Sequence, residues 1–365
     1  MKIECQIEKI KNAVSKAERI TSKNPTLPAL SSVLITTGNK SIKIRATNLS
    51  LGVEIEIPAI VKEEGSIVVN GGILGGVLNN LTLDNNVIIE TSKENLLIKT
   101  KNNQILIKTY AKEDFPTIPS VSDNCFKVSA KKFINGIKSV YYSASISDIK
   151  QEISSVYIYP HEENIVFVAT DSFRLAEKKI KIKKPEDFSG VLIPFKNITE
   201  IIRFFDDSED DLSICLNKNL ISFSLNGIYL TSRLIDGSFP DYNQIIPKES
   251  ATEVVVLKQD LLNALKISNI FSDKFNQVSL KIKPKDKFFE MSSQNNDVGE
   301  NKTKIEASVS GEDLEINLNQ KYFIDCFQSI GQDSLILSFN QNNRPVVVRG
   351  VGDSTMTYLI MPMNR

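Results

Sequence analysis

Two spacings of apolar residues take turns along this chain. Runs such as "VIIETSKENLLIKTKNNQILIKTY", "LSICLNKNLISFSLNGIYLTSRL" and "LILSFNQNNRPVVVRGVGDSTMTYLIMP" alternate apolar and polar positions and predict antiparallel strands joined by polar turns. Between them the apolar residues fall at helical spacing, as in Phe133, Ile134, Ile137, Val140 and Tyr141, which share one stripe. The order strand, helix, strands, then the same again, occurs three times, so each third of the chain reads as two smaller halves. This predicts an α+β fold of three repeated domains, each an antiparallel sheet with two helices on one face.

The repeat is visible residue by residue. Shifting by 123 positions places "IECQIEKIKNAV" from Ile3 on "FKVSAKKFINGI" from Phe126, with Ile10 on Phe133 and Asn12 on Asn135. The same shift places "ATNLSLGVEIEI" from Ala46 on "ATDSFRLAEKKI" from Ala169. A third copy begins at Val254, where Leu261 and Asn263 take the places of Phe133 and Asn135. Stretches from Ile67, Val191 and Ile316 each predict a strand end, a helix-starting Asn or Pro, and an apolar helix. Each copy closes alike, at Phe115-Pro116, Phe239-Pro240 and Met361-Pro362. Boundaries near Ser120 to Asn124 and Pro247 to Thr252 divide the chain into domains 1–121, 122–249 and 250–365. The third copy lacks the Ala-Thr-Asx corner; its polar stretch between Phe288 to Ser292 and Lys304 to Val309 predicts a mobile loop.

Composition narrows the function. The 365 residues, 41% of them hydrophobic, can fill two or three cores. Lys plus Arg and Asp plus Glu both total 44, so any nucleic-acid surface must come from charge sorted onto one face. The start of the chain carries charges every few residues, no run of about 18 apolar residues follows, and a cytoplasmic protein is expected. Cys5, Cys125, Cys215 and Cys326 are widely spaced and the chain has one His, so free thiols and no metal site are expected. No cofactor motif stands out. Glycine-rich "NGGILGG" is not followed by Gly-Lys-Ser/Thr and falls on a helix.

Catalytic signatures are weak. "SAKK" from Ser129 and "SDN" from Ser122 come in the wrong order, nearly contiguous, with no Lys-Thr-Gly after them. His161 sits in a polar turn, and the acidic run Asp206 to Asp211 follows a helix as a solvated loop. Asp171, Ser172 and Arg174 lie close enough to suggest a repeat-built hydrolase, but Asp-Ser after a strand is turn chemistry, the carboxylate bonding backbone two residues on. Asn48 stands for Asp171 in the first copy, which weighs the same way.

Charge is instead sorted onto the helices. These carry Lys9, Lys11, Lys16 and Arg19; Lys131, Lys132 and Lys138; Lys196 and Arg203; Lys258 and Lys266; and Lys321, while acids gather in loops. If helices of a threefold repeat line one concave surface, they form a weakly positive wall suited to the phosphates of duplex DNA. No aromatic residues are interleaved to stack single-stranded bases.

The three copies, with "TLPALSSVLI" from Thr26, "ATDSFRLA" from Ala169, "DGSFPDYNQIIP" from Asp236 and the closing "YLIMPMNR", resemble the bacterial sliding clamps, the β subunits of DNA polymerase III, over essentially the whole chain. The resemblance implies a non-catalytic processivity factor: a head-to-tail homodimer closing a six-domain ring around duplex DNA. It implies an apolar dimer interface at Ile73 and Ile105 on one side and Ile270 and Phe271 on the other. It adds Lys23 to the DNA channel. It further implies a pocket for linear motifs of DNA polymerase III alpha subunit, clamp loader, other polymerases and repair proteins. That pocket maps to Ile153, Thr170, Ser172, Phe173, Arg174 and Leu175, then Pro240, Gln244 and Ile245, then Asn319, Tyr322, Asn343 and Pro345, and finally Leu359, Ile360, Met361, Pro362 and Met363. Its apolar and thioether side chains can re-pack around varied guests. The chain departs from the family pattern at Ser172-Phe173, where Gly-His is common, and at Gln244 and Asn364, where basic residues are common. Asn24 replaces an arginine and Gln151-Glu152 two tyrosines among the family's DNA contacts.

Overall fold

Helix α1, Ile7–Ile20, forms because Ile7, Ile10, Ala13, Val14, Ala17 and Ile20 make one buried stripe. The computed structural model describes residues 1–22, 27–81, 85–182, 188–340 and 344–363; Lys23, Asn24, Asn343 and Asn364 lie outside them. Five further α-helices occur among the described residues: α2 (Gly71–Asn80), α3 (Ala130–Lys138), α4 (Phe195–Phe205), α5 (Lys258–Ile270) and α6 (Gln320–Cys326). The Asn70 side chain accepts from Ile73 N at 3.0 Å to cap α2, and Asn319 accepts from Lys321 N at 3.0 Å to cap α6.

The chain divides into two compact units, Met1–Lys131 with Thr199–Leu234, and Lys132–Ile198 with Ile235–Arg365. In the first, thirteen antiparallel strands form one sheet. Four of them, Phe126–Ser129, Asp211–Leu216, Leu220–Leu225 and Ile228–Arg233, come from the second copy of the repeat. They join the first copy's strands through pairing of Ile228–Arg233 with Leu51–Pro58, register Leu230↔Val53. α1 packs on α2 and on strands Ser41–Thr47 and Leu51–Pro58.

In the second unit a nine-stranded sheet makes the corresponding join. Arg174–Lys181 pairs with Met356–Ile360, register Leu175↔Leu359. A separate sheet of four strands carries α5, which packs on Phe288–Asn295 and on α6.

Two expectations need correcting. The polar stretch of the third copy is a hairpin, Phe288–Asn295 paired with Gly299–Lys304. Its inward positions Phe289, Met291 and Ser293 are buried. Ser293 Oγ donates to Ser268 O at 3.0 Å and Asn295 Nδ2 to Ser272 O at 2.7 Å, so the end of α5 satisfies polar groups that a lone strand would leave buried and unpaired. The second correction concerns the thiols. The pairing Phe126↔Ile214 sets Cys125 opposite Cys215 on neighbouring strands, and they form a disulfide with Cα atoms 4.1 Å apart. Cys5 and Cys326 are free and buried, and burial pushes the Cys5 thiol up to about 12.

Candidate functional site

The Ala-Thr-Asx corner of the second unit is closed by its own side chains. Thr170 Oγ1 donates to Arg174 O at 2.6 Å and accepts from Ser172 N at 3.1 Å. Asp171 Oδ1 accepts from Phe173 N at 2.9 Å and Arg174 N at 3.0 Å, the turn chemistry expected of this dipeptide. Its Oδ2 takes Arg174 Nε at 2.9 Å, so the carboxylate is committed to the turn and the guanidinium. Among the described residues no side chain bonds the Ser172 hydroxyl, and no cluster of three His, Cys, Asp or Glu could hold a metal ion. The corner has no activated nucleophile.

Its neighbours include the tail and a buried apolar cluster. Met361 N donates to Phe173 O at 2.8 Å and Met363 N to Asn317 O at 2.8 Å, which lays the tail beside the corner. Leu175 and Leu359 are buried with Val166, Val168, Val347 and Tyr242 as a floor. Phe173 at 62% and Ile245 at 47% exposure stand on the rim, with Met361, Pro362 and Met363 half-buried between. The "DGSFPDYNQ" segment supplies a wall. Phe239 stacks on Tyr157 at 5.1 Å, and the Tyr242 hydroxyl, 2.6 Å from that of Tyr159, donates to the buried Glu177 carboxylate.

Arg174 is a fixed cation rather than a free arm. Its side chain is 12% exposed, paired with Asp171 and Asp325, and lies 4.6 Å from the Tyr322 ring centroid. Burial opposes its charge, but Tyr358, Asp325 and Asp171 outweigh burial and hold its pKa above the ordinary value. Asp325 was not legible as a site residue; the one signal is that it is the single acid of α6.

The remaining residues take varied positions. Thr170 and Pro345 are buried, and Ile153 and Tyr322 are half-buried. Exposed Gln244 donates to Asp241 at 2.6 Å, Asn319 caps α6, and Ile360 is buried in its strand. Asn343 is outside the described residues.

Among the helix cations, Lys131 pairs with Glu209 at 2.7 Å, Lys196 with Asp148 at 2.6 Å and Arg203 with Glu200. Lys16 sits 5.8 Å from the Phe204 ring centroid, and Lys258 donates to Ile330 O. Lys9, Lys11, Lys266 and Lys321 make no ion pair among the described residues, and Lys132 and Lys138 are exposed. Ile73 at 55% and Ile270 at 64% are exposed, while Ile105 and Phe271 are half-buried. Leu106 at 59% and Phe275 at 58% are exposed beside them; both were missed, since Ile105 and Leu106 are equally apolar and only strand pleat decides which faces out.

Repeated α+β copies, joined strand to strand within each unit, define a clamp-type fold. Residues 1–119, 127–241 and 243–364 match the N-terminal, central and C-terminal domains of the DNA polymerase III beta subunit. The chain belongs to the DNA polymerase III beta subunit family. Among curated relatives it is similar to the beta sliding clamp of Synechococcus elongatus, 27% identical over 371 residues, covering 100% of this chain and 99% of that protein. Among solved structures it is similar to the Bacillus subtilis sliding clamp, TM-score 0.96 at 25% identity, covering 100% and 99% of the two chains. A Bartonella birtlesii clamp solved bound to griselimycin gives TM-score 0.94 at 25% identity, with both chains fully covered.

Proposed function

We propose that this chain pairs head to tail with a second copy to close a ring around duplex DNA, and receives partner proteins on the apolar surface around Phe173, Ile245 and Met361. It is a DNA polymerase processivity factor without catalytic activity of its own. Three domains, 1–121, 122–249 and 250–365, would make each half of the ring. A closed ring replaces affinity by topology: leaving DNA requires opening an interface, so phosphate contacts can stay weak, wet and salt-sensitive while the protein slides. The helix cations Lys9, Lys11, Lys266 and Lys321 suit that role best, since internal acids do not neutralise them. Exposed Ile73 and Leu106 on one side, and Ile270 and Phe275 on the other, give the dimer contact its apolar surface. A head-to-tail contact closes when its rotation completes a turn. No helix among the described residues is long and apolar enough to cross a membrane, in keeping with a cytoplasmic role.

The observation that supports the docking role is a buried apolar cluster including Leu175 and Leu359 in the part of the fold that exposes Phe173 and Ile245 and leaves the Met361 and Met363 thioethers half-buried. Its guests are short linear motifs of the DNA polymerase III alpha subunit, the clamp loader, other polymerases and repair proteins. Nothing at the Asp171 corner favours the hydrolase reading. The test is to load the protein with its clamp loader on a nicked circular plasmid and then linearise it. Retention on the circle and loss from the linear form is expected; equal retention would sink the ring.

A further inference from the structure

The first unit carries a second corner with the same internal hydrogen bonds. Thr47 Oγ1 donates to Leu51 O at 3.0 Å and accepts from Leu49 N at 3.0 Å, as Thr170 does with Arg174 and Ser172. Asn48 Oδ1 accepts from Ser50 N at 3.0 Å and Leu51 N at 2.8 Å, as Asp171 does from Phe173 and Arg174. Leu49 at φ 73 matches Ser172 at φ 78. Arg233 N donates to Ser50 O at 2.8 Å, the bond that Met361 N makes to Phe173 O at 2.8 Å. Leu220 faces Arg233 in register, where Pro345, one step beyond the pair Val346↔Ile360, would face Met361. The corner opens on a cavity of about 480 Å³ lined by Leu49, Leu51, Leu220, Leu234, Pro119 and Arg233.

We propose that this cavity is a second docking groove, taking an extended peptide that bears a leucine beside an aspartate or glutamate. The inference rests on reading the Phe173 and Met361 groove as a peptide dock. The leucines and proline fit an aliphatic side chain, and Leu49 is 45% exposed at the mouth. Charge sets the difference between the grooves. In the second unit the cation is Arg174, bound by Asp171 and Asp325; in the first it is Arg233, exposed at the position of Met361 with no ion-pair partner among the described residues. An exposed, unpaired guanidinium beside an aliphatic slot suits a carboxylate next to a leucine.

The probe is the amidated heptapeptide Gly-Ser-Asp-Leu-Asp-Leu-Gly with a photoreactive leucine at position four, crosslinked to the full chain and mapped by mass spectrometry. Crosslinks to residues 47–52 or 231–234 are expected in the unsubstituted protein. They should fall about tenfold in Leu49→Asn and Arg233→Glu and persist in Met361→Ala with Met363→Ala. A probe with Lys in place of both Asp should recover binding to Arg233→Glu. Asn accepts the left-handed backbone at position 49 better than Leu, so Leu49→Asn should keep the fold. Absence of crosslinks at this corner, or crosslinks indifferent to both substitutions, overturns the proposal. Crosslinks here with none at residues 170–175 or 359–363 would uphold it and show that the two sites take different peptides; the peptide reading of the other site fails separately, if a clamp-motif peptide binds Met361→Ala with Met363→Ala unchanged.

Discussion

Asp325 grips Arg174 across 151 positions of sequence, its Oδ2 accepting from the guanidinium Nη1. The bond ties α6 to the corner, so the rim of the groove cannot shift without breaking it. Asp325→Ala leaves a largely buried arginine with Asp171 as its one acid. Because Asp325 is itself 40% exposed, the expected cost is modest, about 1–2 kcal/mol. Urea unfolding of Asp325→Ala, Arg174→Ala and the double variant should show the double costing less than the sum; strict additivity would mean the pair is uncoupled.

Met361 and Met363 place half-buried, flexible thioethers on the proposed docking surface. Met361→Ala with Met363→Ala should weaken a clamp-motif peptide by roughly tenfold or more, read by fluorescence anisotropy, from the lost apolar contact. The mass in solution should be unchanged. Unaltered binding would remove the tail from the site.

Gly136 and Gly76 test packing against propensity on two helices. A Cβ at Gly136 would meet the Phe167 ring at 2.4 Å, and that ring is already packed edge-on to Phe133 at 5.4 Å. At Gly76 a Cβ meets nothing within 4 Å. Gly76→Ala should stabilise by about 0.5–1 kcal/mol through helix propensity alone. Gly136→Ala should destabilise, by up to about 2.5 kcal/mol, because overpacking at about 1–3 kcal/mol outweighs the same gain. Differential scanning calorimetry showing both variants shifted the same way would contradict this.

Glu54 joins Lys43 and Arg45 across the sheet, each at 2.6 Å. Burial alone would raise its pKa, but the hydrogen bonds and charges of Lys43 and Arg45 outweigh that and hold it below the ordinary glutamate value. A carboxyl lowered in the folded state adds stability that is complete above its unfolded pKa and fades as pH falls through the folded one. Glu54→Gln should therefore be less stable than the unsubstituted protein at pH 7, and the gap should narrow below 4.5. A gap constant down to acid unfolding would show that the charge contributes nothing.

The repeat carried much of the architecture into plain view, because a corner closed by local Thr and Asx bonds must be spelled out in adjacent residues. The pocket residues were carried over from the resemblance to a family and not from any spacing. What stayed hidden depended on distant partners. Ser293 and Asn295 look like loop residues until Ser268 and Ser272 supply their hydrogen bonds. Cys125 and Cys215, 90 residues apart, meet only through strand register. Arg174 was expected to offer contacts to a guest. Asp325 falls on Glu200 in the repeat register, but Glu200 pairs with Arg203 on its own helix, so the counterpart gives no hint that Asp325 reaches Arg174.

The join between Leu51–Pro58 and Ile228–Arg233 is made of backbone, and that limits how the chain can be dissected. Cutting it into its three copies for separate expression would bare a raw strand edge on each side of the seam, ready to recruit any other strand. A copy is thus not a stand-alone brick: truncation fragments should be self-adhesive, and the duplicated parts must be inherited, folded and lost together.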